Sequence, residues 1–204
     1  VKIFENELGV TLNPTTQSIP FWGFDQLITG TKATFRSFVA LPGTQTMGQW
    51  FSQEDKRFAE GPIASVATLG KGKIAGVYFN FGEQHIKRET YVGRDFIGML
   101  AKQLFQPQVQ VTGSKQVNLA LNQKNGNTFV NLINMAGNHA NKSIHSSDEI
   151  PPLYDLRVSV KTAQRPRHIV LHPENKPLPF AYKNGEAVFI ISKLAIHSIV
   201  EIKL

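Results

Sequence analysis

The pattern of apolar and polar positions divides the chain near Pro107. Before that residue, apolar runs over 33–41, 63–69 and 74–81 predict strands, and the last run is apolar enough to be covered on both faces. Farther on, 94–105 places its apolar residues three, four and seven positions apart, which predicts an amphipathic helix. A strand, a polar loop and a helix in that order form a βα unit and predict an α/β domain.

Beyond Pro107 the apolar residues alternate with polar ones, as in a strand with one buried face. Two Asn-Gly pairs, Asn125-Gly126 and Asn184-Gly185, supply the adjacent positive-φ residues of a type I′ turn, so each predicts a hairpin. About seven short strands and no helix follow over roughly 95 residues. This pattern predicts an antiparallel β-sandwich.

These patterns predict two domains, an α/β domain over 1–108 and an antiparallel β-sandwich over 109–204. The first apolar residues, within 1–8, have helical spacing, and Gly9 suits the position that follows a helix. The chain therefore begins inside a helix. We expect it to be the C-terminal piece of a longer polypeptide.

The amino-acid composition excludes several classes of functional site and of binding partner. The 204 residues include no cysteine, which excludes disulfides, thiolate metal sites and a cysteine nucleophile. The net charge of +7 comes from 22 basic and 15 acidic residues that form no basic stripe, and no run approaches the ~20 apolar residues needed to cross a bilayer. We expect no cofactor, no nucleic-acid partner and no membrane partner. Cysteine usage does not fix the compartment, and we favour the periplasm or the extracellular space over the cytoplasm.

The polar loop 82–95 is the first candidate site, because ligands of open α/β sheets bind at the carboxyl ends of strands. A glycosidase needs two carboxylates, which Glu83 and Glu89 can supply, with His85 as a further acid–base group. An ordinary solvated loop is the favoured alternative. The remaining candidates, for ligand or interface contacts, are Asn80, Tyr91, Arg94, Trp22 and Trp50.

Trp22 and Trp50 lie in otherwise polar stretches, where an exposed indole can bind a sugar face or a second copy of the chain. A core position is the favoured alternative for each. The loop 136–152 is the longest in the second half of the chain. Its metal-type side chains are His139, His145, Asp148 and Glu149. Their spacing matches no defined metal site, so no metal is predicted.

The stretch PIASVATLGKGKIAGVYFNFGEQH, followed by RDFIGMLAKQLF, resembles the end of a glutamine-amidotransferase-like domain. Such domains occur in trehalose-utilisation-like proteins and as the trimerisation domain of family 42 β-galactosidases. The resemblance implies an incomplete flavodoxin-like fold whose first βαβ units would precede Val1. It also implies that Asn80 stands where the amidotransferase histidine would be, and the lack of cysteine excludes amidotransferase chemistry.

The later stretches FVNLINMAGNH, DEIPPLYDLRVSVKT and RHIVLHPENKPLPFAYKNGEAVFIIS resemble the β-sandwich that ends bacterial glycoside hydrolases, some of them fucosidase-like. In those proteins a catalytic (β/α)-barrel comes first. The resemblance implies a non-catalytic C-terminal region that serves as an accessory domain or in assembly, as a homo-oligomer or against a missing N-terminal catalytic domain. Two alternatives stay open: a carbohydrate-binding module using loop 82–95 or loop 136–152, and an independent glycosidase using Glu83 and Glu89.

Overall fold

The computed structural model of the chain shows two compact units, 1–106 and 107–204, which meet beside the boundary predicted at Pro107. The residues that the structure describes are 4–88, 90–137 and 149–204. Each unit contains a hydrophobic core of its own. No helix among the described residues is long and apolar enough to cross a membrane.

Over its described residues, the first unit contains two small strands, a five-stranded sheet and three α-helices. Its elements are α1 (Glu5–Leu8), β1 (Val10–Leu12), β2 (Gln17–Phe24), β3 (Leu27–Phe35), β4 (Phe38–Ala40), β5 (Gln45–Phe51), a 3₁₀ turn (Lys56–Phe58), β6 (Ala59–Leu69), β7 (Gly72–Val77), α2 (Phe81–Arg88) and α3 (Tyr91–Leu104). Strands β1 and β4 pair with each other, and the larger sheet has the order β3-β2-β5-β6-β7. Helix α1 ends at Gly9, whose φ of 66° confirms the predicted helix end.

The neighbouring strands of the five-stranded sheet are antiparallel throughout its described residues. The predicted flavodoxin-like α/β domain is therefore wrong, because that fold requires parallel strands. The short connections explain the difference. Asp25-Gln26 joins β2 to β3 and Gly70-Lys71 joins β6 to β7, and two residues can join only antiparallel neighbours. Asp25 and Gly70 adopt the positive φ values, 48° and 59°, that such tight turns require.

Three predicted elements of this unit have different bounds in the structure. The strand predicted over 33–41 is the end of β3 followed by β4, and the strand predicted over 74–81 is β7, which ends at Val77. The polar loop predicted over 82–95 consists of α2 and the start of α3. Helix α2 was not predicted because it has no stripe of buried apolar residues. Its one buried residue is Gln84.

Six of the fifteen buried residues in the first unit's core cluster are aromatic. The Trp22 ring lies between Phe79 and Phe96, with centroid distances of 5.3 and 5.2 Å. Phe96 belongs to α3 and is fully buried, as is Phe35 on β3. Burying one such side chain is worth roughly 1.5–3 kcal/mol, so these rings hold α3 against the sheet.

The second unit is a β-sandwich of two antiparallel sheets. Its strands are β8 (Val109–Thr112), β9 (Val117–Lys124), β10 (Asn127–Asn134), β11 (Leu153–Lys161), β12 (His168–His172), β13 (Lys176–Pro177), β14 (Phe180–Lys183), β15 (Glu186–Leu194) and β16 (His197–Lys203). One sheet has the order β13-β12-β16-β10-β9, and the other has the order β14-β15-β11-β8. This arrangement agrees with the predicted antiparallel sandwich.

Both predicted Asn-Gly hairpins are confirmed. Asn125 and Gly126 join β9 to β10 with φ values of 53° and 79°. Asn184 and Gly185 join β14 to β15 with φ values of 53° and 77°. Each pair supplies the two successive positive-φ residues of a type I′ turn.

Candidate functional site

A buried amide positions helix α2, which carries Glu83 and His85. Gln84 on α2 accepts a hydrogen bond from Thr31 Oγ1 at 3.1 Å and donates one to the Lys32 carbonyl at 3.3 Å. Both partners belong to β3. The following helix, α3, begins at Thr90, whose hydroxyl accepts a hydrogen bond from the Gly93 amide at 3.4 Å. These contacts hold the turn between α2 and α3 against one edge of the sheet.

Asn80 and Glu83 form a hydrogen-bonded pair at the start of α2. Asn80 Oδ1 accepts from the Thr34 amide at 3.0 Å, and its Nδ2 donates to Glu83 Oε2 at 2.5 Å. Lys87, one helical turn along, forms an ion pair with Glu83 at 2.5 Å. The hydrogen bond from Lys87, then that from Asn80, and the Lys87 charge lower the pKa of Glu83. A general acid needs the opposite shift, so this environment keeps Glu83 ionised.

His85 packs between the two helices. Its ring stacks on Phe81 with a centroid distance of 5.8 Å and an interplanar angle of 9°. Its Nδ1 is buried and has no hydrogen-bond partner among the described residues. A methyl group on Gly93 would lie 2.8 Å from that nitrogen, so α3 approaches His85 through a glycine. The contacts of His85 are those of a packing residue.

An open cleft lies where α2 meets α3, and we call it the α2–α3 cleft. Its volume is about 490 Å³, and its lining residues are His85, Ile86, Thr90, Tyr91 and Arg94. Ile86 and Tyr91 are 77% and 57% exposed. Arg94 donates to Asp95 at 3.2 Å and remains largely in solvent. Three predicted residues, His85, Tyr91 and Arg94, therefore meet at one surface that combines apolar, aromatic and cationic groups.

The two tryptophans belong to the first unit's sheet. Trp22 is 3% exposed and lies within the aromatic core, so the prediction of an exposed ligand or interface contact is wrong for this residue. Trp50 is half-buried opposite Trp22 in the β2–β5 register and packs against the same core. Both stretches looked polar because one face of each strand is solvated.

Several predicted residues lie outside the described ranges. These are Glu89, His139, His145 and Asp148, with most of the loop 136–152. Within the part of the chain that is described, no group of three or more His, Asp or Glu side chains could hold a metal ion. The base of the loop lies within the described residues. The buried Asn134 donates to the carbonyls of Pro151 at 2.9 Å and Ala195 at 2.7 Å, and accepts from the Ala136 amide at 2.8 Å.

The second unit carries a cavity that sequence reasoning missed. It lies on the outer face of the β14–β15–β11 sheet and has a volume of about 610 Å³. The side chains on that face include Arg157, Lys183, Glu186, Val188 and Ile190. The available signal was the alternation along β15, where Ala187, Phe189 and Ile191 are buried and their neighbours point outward.

Comparisons with known proteins support the fold. No protein-family model matches the sequence, and no curated protein matches it. Among solved structures, α-L-fucosidase isoenzyme 2 from Paenibacillus thiaminolyticus is similar, with a TM-score of 0.73 and 13% identity over 96% of this chain and 33% of that chain. Gan42B, a GH42 β-galactosidase from G. stearothermophilus, is similar with a TM-score of 0.53 and 14% identity over 99% of this chain and 24% of that chain.

At these identities the similarity concerns the fold. The chain spans about a third of the length of the fucosidase and about a quarter of the length of the galactosidase. Its fold therefore corresponds to a part of each of these glycoside hydrolases.

Proposed function

We propose that this chain is a non-catalytic accessory region of a glycoside hydrolase whose catalytic domain lies elsewhere. The observation that carries the proposal is the match of nearly the whole chain, 96%, to only 33% of an α-L-fucosidase. A fold shared at 13% identity does not transfer a substrate, so the sugar and the linkage are left open.

The environment of Glu83 argues against an independent glycosidase. Such an enzyme needs a carboxyl group that keeps its proton at working pH beside a second carboxylate. Glu83 is instead exposed, ion-paired with Lys87 and held in its charged form. We assign it to the surface of α2.

The α2–α3 cleft suits an assembly contact. Ile86 and Tyr91 expose apolar surface beside Arg94, and aromatic and arginine side chains are enriched at protein interfaces. We propose that this surface binds either a second copy of the chain or the catalytic domain of the same enzyme. Asn80 precedes α2, at the opposite end of that helix from the cleft, and there it pairs with Glu83.

A hydrolysis assay tests the non-catalytic role. The purified chain is incubated with a panel of nitrophenyl glycosides, including fucosides and galactosides, and we expect no release above the uncatalysed rate. Two variants accompany it, Glu83→Gln and Glu54→Gln, the second being an exposed carboxylate of the same unit. Hydrolysis that persists in Glu54→Gln and disappears in Glu83→Gln would overturn the proposal.

Sedimentation velocity tests the assembly contact. If a second copy binds the cleft, the wild-type chain self-associates, and replacing Ile86 and Tyr91 by serine weakens that association by about tenfold or more. The matched control is Val39→Ser, which changes a residue that is 70% exposed elsewhere in the same unit. A control that weakens association equally would contradict the assignment of the cleft. A monomeric wild-type chain would leave the catalytic domain as its partner.

A further inference from the structure

The outer face of the β14–β15–β11 sheet carries an excess of positive charge. Strand register places Glu186 directly between Lys183 on β14 and Lys161 on β11. Two rungs along the same face, Arg157 lies opposite Ile190. We call these five residues, together with Val188 between the two rungs, the basic face.

The cations of the basic face have no internal partners. The side chains of Arg157, Lys161 and Lys183 form no hydrogen bond or ion pair with any residue that the structure describes, and all three are exposed. Lys203 of the other sheet, in contrast, pairs with Glu201 at 3.4 Å. Two lysines therefore flank the carboxylate of Glu186, and Arg157 lies about 13 Å farther along β11. The three cations and one carboxylate leave a local positive charge that an anionic ligand can compensate.

An apolar floor separates the two charged ends. Val188 lies opposite Ala181, and Ile190 is 47% exposed next to Arg157. The cavity above this floor has a volume of about 610 Å³, within the range of roughly 300–1,000 Å³ that small-ligand sites occupy. Arg157 and Lys161 are four residues apart on one strand, so their Cα atoms are separated by about 13 Å.

We infer that the basic face binds an acidic saccharide, a chain of sugar units bearing carboxylates. The carboxylates would pair with Arg157 at one end and with Lys183 at the other, and the C–H faces of the sugar rings would lie on Val188 and Ile190. Arginine suits this role because its planar guanidinium can bind a carboxylate through two hydrogen bonds. The choice of a saccharide rests on the proposed function, and the choice of an acidic one rests on the unpaired charges.

Calorimetric titration of the full chain with a homogalacturonan hexamer tests this inference. We expect saturable binding that weakens as salt is added, since exposed charge pairs are screened beyond about 8 Å at physiological ionic strength. The double variant Arg157→Gln/Lys183→Gln should weaken binding about tenfold, because it removes both cations that would pair with the carboxylates of the ligand. Ile190→Ser should weaken it by a smaller factor, about threefold, through loss of the apolar floor.

The matched control removes the same charge from the opposite sheet. Lys124→Gln/Lys176→Gln changes two exposed lysines on β9 and β13, and binding should change less than twofold if the basic face is the site. Circular dichroism verifies that each variant is folded. Equal weakening by the two double variants would overturn the inference, because net charge and not a site would then explain binding.

Two further ligands test which chemical class of ligand the basic face binds. A neutral cellohexaose should not bind the basic face, and a hexaglutamate peptide should bind at least tenfold more weakly than the acidic hexamer. Peptide binding of equal strength would overturn the saccharide assignment in favour of an acidic polypeptide. Absence of saturable hexamer binding would overturn the inference and leave the proposed accessory role standing, since that role is tested by hydrolysis and not by binding.

Discussion

The two units build their cores from different side chains. The first unit packs tryptophan and phenylalanine rings between a sheet and α3, with Trp22 in contact with both Phe79 and Phe96. The second unit packs valine, leucine and isoleucine from two facing sheets, with Phe189 as the aromatic residue of its buried cluster. Large rings fill the uneven space between a helix and a sheet, whereas branched aliphatic side chains interdigitate between two regular sheets.

This difference in core composition predicts which substitutions should destabilise each unit most. A core of few large rings concentrates its stability in single residues, so one truncation leaves a large cavity. A core of many small side chains spreads its stability. Its weak points are then the polar groups that organise the ends of its strands.

The largest expected effect is in the aromatic core. Phe96→Ala removes a fully buried ring that contacts Trp22, Phe24 and Phe81, and should lower the free energy of unfolding by about 3–5 kcal/mol. Both tryptophans of the chain lie in the first unit, so urea unfolding followed by tryptophan fluorescence measures it. Phe105→Ala, at a residue that is 62% exposed, should cost less than about 0.5 kcal/mol. Similar losses of unfolding free energy in both variants would contradict the prediction that single buried rings carry a large share of the first unit's stability.

The second-largest expected effect is a loss of stability at the end of the sandwich, where Asn134 lies. Asn134→Ala removes a buried amide that joins three segments of the second unit, leaving backbone carbonyls unpaired, and should cost about 2–3 kcal/mol. Hydrogen exchange of the amides in β10 and β11 measures the loss. Asn118→Ala on the exposed edge strand β9 serves as the control, with a change below about 0.5 kcal/mol. An equal cost at both positions would show that Asn134 does not organise the loop base.

Two glycine substitutions should change the free energy of unfolding in opposite directions. Gly98 lies on the exposed face of α3 with open space around it, so Gly98→Ala should stabilise the first unit by about 0.5–1 kcal/mol. Gly126 also has open space, but its φ is +79°, so Gly126→Ala should destabilise the second unit by about 1 kcal/mol. Thermal unfolding of the two variants measures both changes. Stabilisation by Gly126→Ala would exclude the type I′ turn.

The smallest effect is a pH dependence of the sandwich. Burial by itself raises the pKa of Glu201, but hydrogen bonds from His172, Asn127 and Lys203, with the Lys203 charge, outweigh it and leave the pKa lowered. The stabilisation is therefore complete above the unfolded-state pKa of about 4.3 and is lost as pH falls through the lower folded-state value.

Unfolding measured at a series of pH values from about 6 to 2 should show this loss in the wild-type chain. In Glu201→Gln the dependence should be shallower. Glu186→Gln changes a carboxylate on the other sheet and should retain the wild-type slope. A wild-type slope in Glu201→Gln would contradict a role for this carboxylate in acid sensitivity.

The sandwich could be predicted because its signals are local. The Asn125-Gly126 and Asn184-Gly185 turns need only two adjacent residues that tolerate positive φ, and the flanking strands need only alternation. The first unit misled prediction because a nearly continuous apolar run suggested a doubly covered parallel strand. The antiparallel hairpin that Gly70-Lys71 forms between β6 and β7 was not predicted.

The structure brings His85, Tyr91 and Arg94 to one cleft, but they lie on α2 and α3 and not in the loop that was predicted over 82–95. Whether this cleft binds anything stays a prediction. Trp22 was misplaced because the contacts that bury it, with Phe79 and Phe96, join residues far apart in the sequence. The basic face was not found at all, since Arg157 and Lys183 are 26 positions apart and meet only through strand pairing.

The sequence by itself determined the two Asn-Gly turns, the end of α1, the start of the sandwich and the absence of thiol chemistry. Each of these depends on one residue or a few adjacent ones. The tertiary structure alone decided that the first sheet is antiparallel, that Gln84 ties α2 to β3, and that the cations of the basic face share a surface. Those outcomes depend on contacts between distant residues, whose energies no local pattern contains.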